Sequence, residues 1–444
     1  MDRLNELGRT GQNRWGGQIY EEFLKELHGR RGMAVYKEMS ENDDVIGAIL
    51  YATEMLIRQA PWSVQPGGAT AKDQEAAEFV QSCMDDMSDT WTDTVSEILS
   101  YLVFGWSALE IVYKRRGGSS ADERLNSKHD DGLIGWRKLP IRAQETLWEW
   151  IYDDNDNLIG MAQMPPPGYE IITIPIDKLL LFRTKSRKGS PEGRSILRSA
   201  YRSWYFKRRI QEIEGIGVER DLAGFPVLTA PEGLDLWDED NPDMAAVRAA
   251  ANMIVQSIRR DSLEGLTMPS GWKLELLSTG GRRQFDTCAI IERYDTRIAM
   301  TVLADFVLLG HQKVGSFALS SDKTKLFSMA IAVYLDIICE AFNNKAIPAL
   351  INLNAEYFNG ITGYPTLEHG DVEGANLEAL AVYLKEVTGA GILIPDEGIE
   401  DFVRAAAGLP KRIDAGEVQP KPPAAKDEDE EEVKKAMAQL GRLD

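Results

Sequence analysis

Residues Ser195–Leu222, SILRSAYRSWYFKRRIQEIEGIGVERDL, decide how the chain is read. Tyr201, Trp204, Tyr205, Ile210, Ile213 and Ile216 recur at helical spacing and give one long helix an apolar stripe. Gly215 and Gly217 lie inside it, each costing about 1 kcal/mol relative to alanine, which predicts a bend or early fraying. A second helix of similar length is predicted over Gln284–Leu309, with Ile291, Tyr294, Ile298, Val302 and Phe306 on one side. At 1.5 Å per residue each helix spans roughly 40 Å. Between their far ends lies a compact insertion: a strand in FPVLTAP, the acidic stretch DLWDEDNPD, a helix carrying Met244, Val247, Ala251, Ile254 and Ile258, and a strand in WKLELLS (272–278). Two matched helices with a small module between their ends describe a stalk carrying a tip.

Outward from this hairpin, the preceding sequence alternates short helices and strands. Residues 1–40 are Gly/Arg-punctuated, with one short amphipathic stretch near Ile19–Leu27. A helix is expected from Asp43 or Asp44, with Ile46, Ile49, Thr53, Leu56 and Ile57 inward and Pro61 as its stop. WSVQP reads as a strand, residues 70–87 and Asp93–Val103 as helices, and SALEIVYK (107–114) as a strand. KRRGGSSADERLNSKHDD (114–131) reads as an exposed loop. Four strands follow over 145–153, 158–164, 169–175 and 178–185, with turns at DNDN and PPPG. This block predicts an α+β domain built on antiparallel meanders.

After the hairpin, GHQKVGSFALSSDKTK (310–325) is a polar loop punctuated by glycines, and a helix is expected over Thr324–Asn343, giving way to irregular structure after Pro348. Small helices are expected near 374–388 and 395–407, the second bounded by Pro395 and Gly408. From about residue 413 the composition turns Pro/Lys/Glu-rich, with acids throughout 427–432, so a flexible acidic tail is expected.

The chain has 444 residues, 43% of them apolar, enough for two or three domains. Its net charge of −20 excludes tight surface binding of nucleic acid, which needs Lys and Arg on phosphates. It leaves open a protein that surrounds DNA without gripping it. Cys83, Cys288 and Cys339 are far apart and odd in number, so they read as buried small hydrophobes from a reducing compartment. The N-terminal stretch lacks the apolar core of a secretory signal, and no uninterrupted apolar run is long enough to span a bilayer, so a soluble cytoplasmic chain is expected.

Catalytic signatures are weak. His28, His129, His311 and His369 show no ligand or triad spacing and read as surface or loop residues. KGSPEGRSIL (188–197) resembles a phosphate-binding loop in context, but only three residues separate Gly189 from Gly193 and Arg194 stands where the lysine belongs. Ser190 or Ser195 as a cap, Pro191 in a first turn and Gly193 as a tight entry account for the same residues. DDNDN (153–157) lacks the glycine and bidentate glutamate of a calcium loop and reads as a hairpin turn.

The order of elements resembles the portal proteins of tailed bacteriophages, most closely the Mu-like group. The likeness rests on ENDDVIGAILYATEMLIRQAPWSV (41–64), GSPEGRSILRSAYRSWYFKRR (189–209), and IERYDTRIAMTVLADFVLLG (291–310) leading into KVGSFALSSDKTK (313–325). It covers roughly residues 35–410. The resemblance implies an N-terminal arm (1–34), an α+β wing (35–194 and 324–370) and a two-helix stem (195–222 and 283–309). It further implies a small α/β clip (223–282), a tunnel loop (310–323) leading into a kinked helix, a small helical crown (371–412) and the acidic tail (413–444). It also implies a ring of twelve subunits at a capsid vertex, double-stranded DNA in the channel, and terminase large subunit and head–tail connector docking at the clip. Major capsid protein would lie around the ring, and no cofactor or membrane would be involved. On this reading Gln312, Lys313 and Ser316, with Lys323 and Lys325 at the loop's exit, touch the DNA backbone, and Arg259 and Arg260 serve docking. Arg202, Lys207, Arg208 and Arg209 either pair with acids on a neighbouring subunit or face the channel. The rival readings are an NTP-dependent enzyme using 188–197 and a ring or fibre subunit that never meets DNA.

Overall fold

A computed structural model describes residues 8–223, 225–238, 241–257, 267–277, 286–302 and 317–370, together with residues 385, 386, 400 and 404. The chain divides into two units, Met1–Val372 and Glu373–Asp444. In the second, the described residues include an ion pair of 2.8 Å between Arg404 and Glu400. The helices expected near 374–388 and 395–407, and the acidic tail, otherwise lie outside the described residues.

The first unit opens with a small hairpin of β1 (Arg14–Trp15) and β2 (Gln18–Ile19), then α1 (Gly29–Asn42) and α2 (Asp44–Gln59). Helix α1 was not expected, because Gly29 and Gly32 read as punctuation. Gly32 is instead packed so closely that a Cβ would lie 2.2 Å from the Leu27 carbonyl, and Gly32, Tyr36 and Met39 form one buried face. Helix α2 starts where expected, since the Asp43 side chain accepts from the Val45 and Ile46 amides. Next come β3 (Trp62–Gln65), α3 (Ala71–Asp85), α4 (Trp91–Ile98) and α5 (Ser100–Phe104). Thr70 and Asp73 form a capping box on α3, and Gly105, at φ 91°, ends α5.

The predicted SALEIVYK strand is broken at Ile111 into β4 (Trp106–Glu110) and β5 (Val112–Arg115). Strand β5 pairs with β6 (Ile134–Lys138). The segment between them is less exposed than expected at its start. Lys114 is buried, donating to the carbonyls of Asp86 and Asn126 and pairing with the Asp86 carboxylate at 3.0 Å, while buried Arg116 pairs with Asp131 at 2.8 Å. The meander is β7 (Leu147–Tyr152), β8 (Leu158–Gln163) and β9 (Ile172–Pro175). Strand β10 (Leu179–Arg183) leaves it and pairs with β4.

Beyond the meander run α6 (Tyr201–Ala223), β11 (Phe225–Thr229), α7 (Pro242–Ser257), β12 (Lys273–Leu277) and α8 (Thr287–Thr301). Strands β11 and β12 pair antiparallel, Phe225 opposite Leu277 and Thr229 opposite Lys273. Cys288 on α8 is exposed, contrary to expectation, whereas Cys83 and Cys339 are buried.

The last helical segment departs from the sequence reading at both ends. Helix α9 (Phe317–Ala341) begins seven residues before Thr324, so residues 317–323 are helical rather than loop. Helix α9 passes through a π turn (Phe342–Ala346) into α10 (Ile347–Leu353), so the chain stays helical beyond Pro348. Proline removes an amide and crowds the preceding turn, and the wider π turn accommodates both. The Asn343 carboxamide donates to the Leu367 carbonyl at 3.0 Å and accepts from its amide at 2.7 Å, and Lys345 donates to the Ile176 carbonyl. The Asn343 bonds fix the turn against β13 (Thr366–His369), which pairs with β3 from the other end of the unit. His369 therefore sits in a strand rather than a loop, 3.2 Å from Asp336.

The segment Lys325–Leu353 is long and apolar enough, by composition alone, to cross a membrane. Here its apolar side is the core: Ile331, Leu335, Ile338, Phe342 and Leu350 are buried against Trp136, Leu180 and Phe182. Smaller cores lie under α1 and α6 and beneath the meander, the latter around Trp106 and Trp150.

Candidate functional site at the helical hairpin

The entry to α6 is held by the segment that resembled a phosphate loop. The Ser195 hydroxyl accepts from the Leu197 amide at 3.1 Å and caps a 3-10 turn over Ile196–Ser199. A Cβ on Gly193 would lie 2.1 Å from the Gly105 carbonyl and 3.0 Å from the Thr184 amide, so tight packing requires glycine there. Lys188 donates to Glu21 at 3.1 Å, and Arg198 grips Glu22 through two bonds of 2.6 Å. Burial raises the Glu22 pKa, but Arg198 and the Leu24 amide outweigh it and hold the carboxyl below its ordinary range. The loop is a structural joint between Glu21 and Glu22 and the start of α6. In the DDNDN turn, Asp153 likewise spends its carboxylate on the Asn155 and Asn157 amides at 2.9 and 2.8 Å, closing the β7–β8 hairpin.

Helices α6 and α8 run antiparallel. Leu197, Ala200, Tyr201 and Trp204 pack with Ile298 at one end, Phe206 stacks on Tyr294 with centroids 6.4 Å apart, and Thr287 donates to Glu214 further along. Between these contacts Lys207 is fully buried. Its ammonium lies 2.6 Å from Asp295 on α8, 3.0 Å from Asp43 and 3.1 Å from Asp44 at the start of α2. One cation thus ties three helices together. Burial disfavours the ammonium, yet the bonds to Asp295, Asp43 and Asp44 prevail and raise its pKa above the ordinary lysine value. Burial also pushes Asp295 up against the pull of Lys207, while the Lys207 hydrogen bond holds the more exposed Asp44 down.

The other three cations singled out on α6 also find partners within the chain, without recourse to a neighbouring subunit. Arg208 pairs with Glu38 at 2.6 Å and with Glu212 at 3.1 Å, Arg209 pairs with Glu212 at 3.4 Å, and Arg202 lies 6.0 Å over the Phe206 ring. Of the residues singled out for DNA contact, Lys325 is exposed near the start of α9 and Lys323 lies within that helix. Gln312, Lys313 and Ser316, and the docking candidates Arg259 and Arg260, lie outside the described residues. Sequence reasoning missed the acids that hold Lys207. The available signal was a lysine on the same face as Tyr201 and Trp204, matched by Asp295 on the Ile291–Ile298 face of the opposite helix: opposite charges on two facing apolar stripes.

Each of these polar groups is spent on holding one element against another, so what the site accomplishes is geometry, a fixed hairpin on an α+β base. That is the construction of a structural assembly subunit. The chain belongs to the family described as the portal protein of Mu bacteriophage, whose profile matches residues 33–405. It is accordingly a portal vertex subunit, a virion component that works as an oligomeric ring and not as an enzyme.

Among solved structures, it is similar to a chain in the neck of an empty gene transfer agent particle, at 12% identity and TM-score 0.48, covering 90% of this chain and 96% of that one. A chain in the neck of the native particle, computed with C12 symmetry, gives 11% identity and TM-score 0.45, covering 85% and 94%. An HK97 family phage portal protein from Corynebacterium diphtheriae gives 10% and 0.42, covering 79% and 97%.

Proposed function

We infer that twelve copies close into a ring through which double-stranded DNA enters and leaves the capsid. Residues 35–194 and 324–370 serve as the wing, 195–222 and 283–309 as the stem, 223–282 as the clip and 371–412 as the crown. The observation that carries this reading is the antiparallel α6–α8 hairpin, pinned at its base by Lys207 and continued into the β11–β12 pair with α7. Such a stave suits a channel wall. A net charge of −20 on each subunit repels a polyanion and lets it slide, and tight phosphate contacts would hinder that motion.

Contact with the DNA backbone falls to the tunnel loop, through Gln312, Lys313 and Ser316, with Lys323 and Lys325 at the start of α9. Arg259 and Arg260 at the clip receive the terminase large subunit during packaging and the head–tail connector afterwards, and the wing meets the major capsid protein. The subunit is made in the host cytoplasm before assembly. Lys313→Glu is the test: rings assemble normally, while packaged or retained DNA per particle falls. Wild-type packaging by that variant would remove the tunnel loop from the account.

A further inference from the structure

Helix α6 carries an exposed stripe that its own subunit does not cover. Arg202, Phe206, Arg209, Ile213 and Ile216 follow one another at alternating steps of four and three, the spacing of a helix–helix seam. Phe206, Ile213 and Ile216 are 42%, 66% and 51% exposed. Near the apolar end lie Gly215 and Gly217, where a Cβ would meet nothing within 4 Å and φ is not positive. Among the described residues nothing explains two glycines that each cost about 1 kcal/mol in a helix. Close approach of another backbone would.

Helix α9 carries the complement. Leu326, Met329, Val333, Asp336 and Glu340 follow the same alternating steps on its exposed side. The first three are 52%, 54% and 55% exposed, and the two acids complete the stripe. Both stripes cover fourteen steps, about 21 Å of helix. Laid antiparallel with Arg202 opposite Glu340, Phe206 falls opposite Asp336, Arg209 opposite Val333 and one turn from Asp336, and Ile213 and Ile216 opposite Met329 and Leu326. Parallel packing would set Arg202 beside Leu326 and Glu340 beside Ile216, stranding both charged ends.

We propose that α6 of one subunit packs antiparallel against α9 of the next, so that the ring is closed by joining the hairpin of each copy to the kinked helix of its neighbour. The contact uses different surfaces on the two partners, as a head-to-tail ring requires. The occupant is a second copy of this chain because its own surface offers an apolar pair opposite Ile213 and Ile216 and an acidic end opposite Arg202. This inference rests on the ring reading above.

The test is disulfide trapping in assembled rings of the full chain, with exposed Cys288 changed to serine. Ile213→Cys combined with Met329→Cys is expected to give, on oxidation, a ladder of covalent oligomers, and either cysteine alone gives monomer. As a second measure, Arg202→Glu lowers the assembled fraction about tenfold, the effect of a like-charge contact repeated at every interface. Adding Glu340→Arg restores it. All these side chains are exposed in the subunit, so an unchanged thermal melt certifies the fold. Rings that form without a ladder, or that persist in Arg202→Glu, would overturn the α6–α9 contact alone. Failure of the unaltered chain to form rings would overturn the ring reading with it.

Discussion

The α+β base and the α6–α8 hairpin reach stability by different means. The base buries its large aromatics completely: Trp106, Trp136, Trp150 and Phe342 have essentially no exposed surface. The hairpin leaves Ile213, Ile216 and Met300 in solvent and secures its position with a buried charge. The first region buries its own apolar surface, whereas the second, on the contact proposed above, is completed by its neighbours. A ring subunit needs both, a rigid body and a wall that remains adhesive until assembly.

This contrast is broken most severely within the base. Phe342 packs in the π turn against Trp91, Trp136 and Phe182, with centroids at 5.1, 5.9 and 6.2 Å. Phe342→Ala removes the ring that joins these elements and is expected to cost about 4 kcal/mol in urea unfolding followed by tryptophan fluorescence. Lys207→Met attacks the hairpin anchor instead, leaving Asp43 and Asp295 without their buried cation. It is expected to cost about 3 kcal/mol, with hydrogen exchange rising in α6 and α8 before the base is affected. A loss spread evenly over both regions would erase the distinction.

A smaller effect separates them by pH. Asp73 accepts from the Thr70 hydroxyl and from the Thr362 amide and hydroxyl, and these bonds, Thr70 foremost, hold its carboxyl far below the ordinary range. A depressed carboxylate contributes stability that is fully present above its unfolded pKa and is lost as pH falls through the lower folded value. Thermal melts between pH 5 and pH 2 should therefore show a steeper loss for the wild type than for Asp73→Asn, which starts less stable at neutral pH. The smallest effect belongs to the hairpin. Gly217→Ala should raise subunit stability by about 1 kcal/mol while weakening rings, because the open side of the glycine is filled in the assembly.

Much of the base was legible because local patterning carries it. The α2 stripe of Ile46, Ile49, Thr53 and Ile57, the Thr70 cap on α3 and the alternation of β7 and β8 are each written within a few residues. What escaped depends on distant partners. Strand β13 pairs with β3 across almost the whole unit, and the π turn answers to Asn343 bonding Leu367 and to Pro348 together. In the hairpin, the helices and their apolar stripes could be read, but the role of Lys207 could not. A lysine looks solvated until the acids that surround it, two of them at the start of α2, are brought together by the fold. The candidate DNA contacts were chosen by resemblance and by their glycine-punctuated setting; of these, the structure describes the side chain of Lys325 alone.

The most direct measurement is electron microscopy of the purified full-length chain. The account predicts closed rings of twelve subunits with an axial hole wide enough for duplex DNA and the α6–α8 hairpins forming its wall. Monomers, open filaments, or rings whose axis is blocked by the α+β base would contradict it.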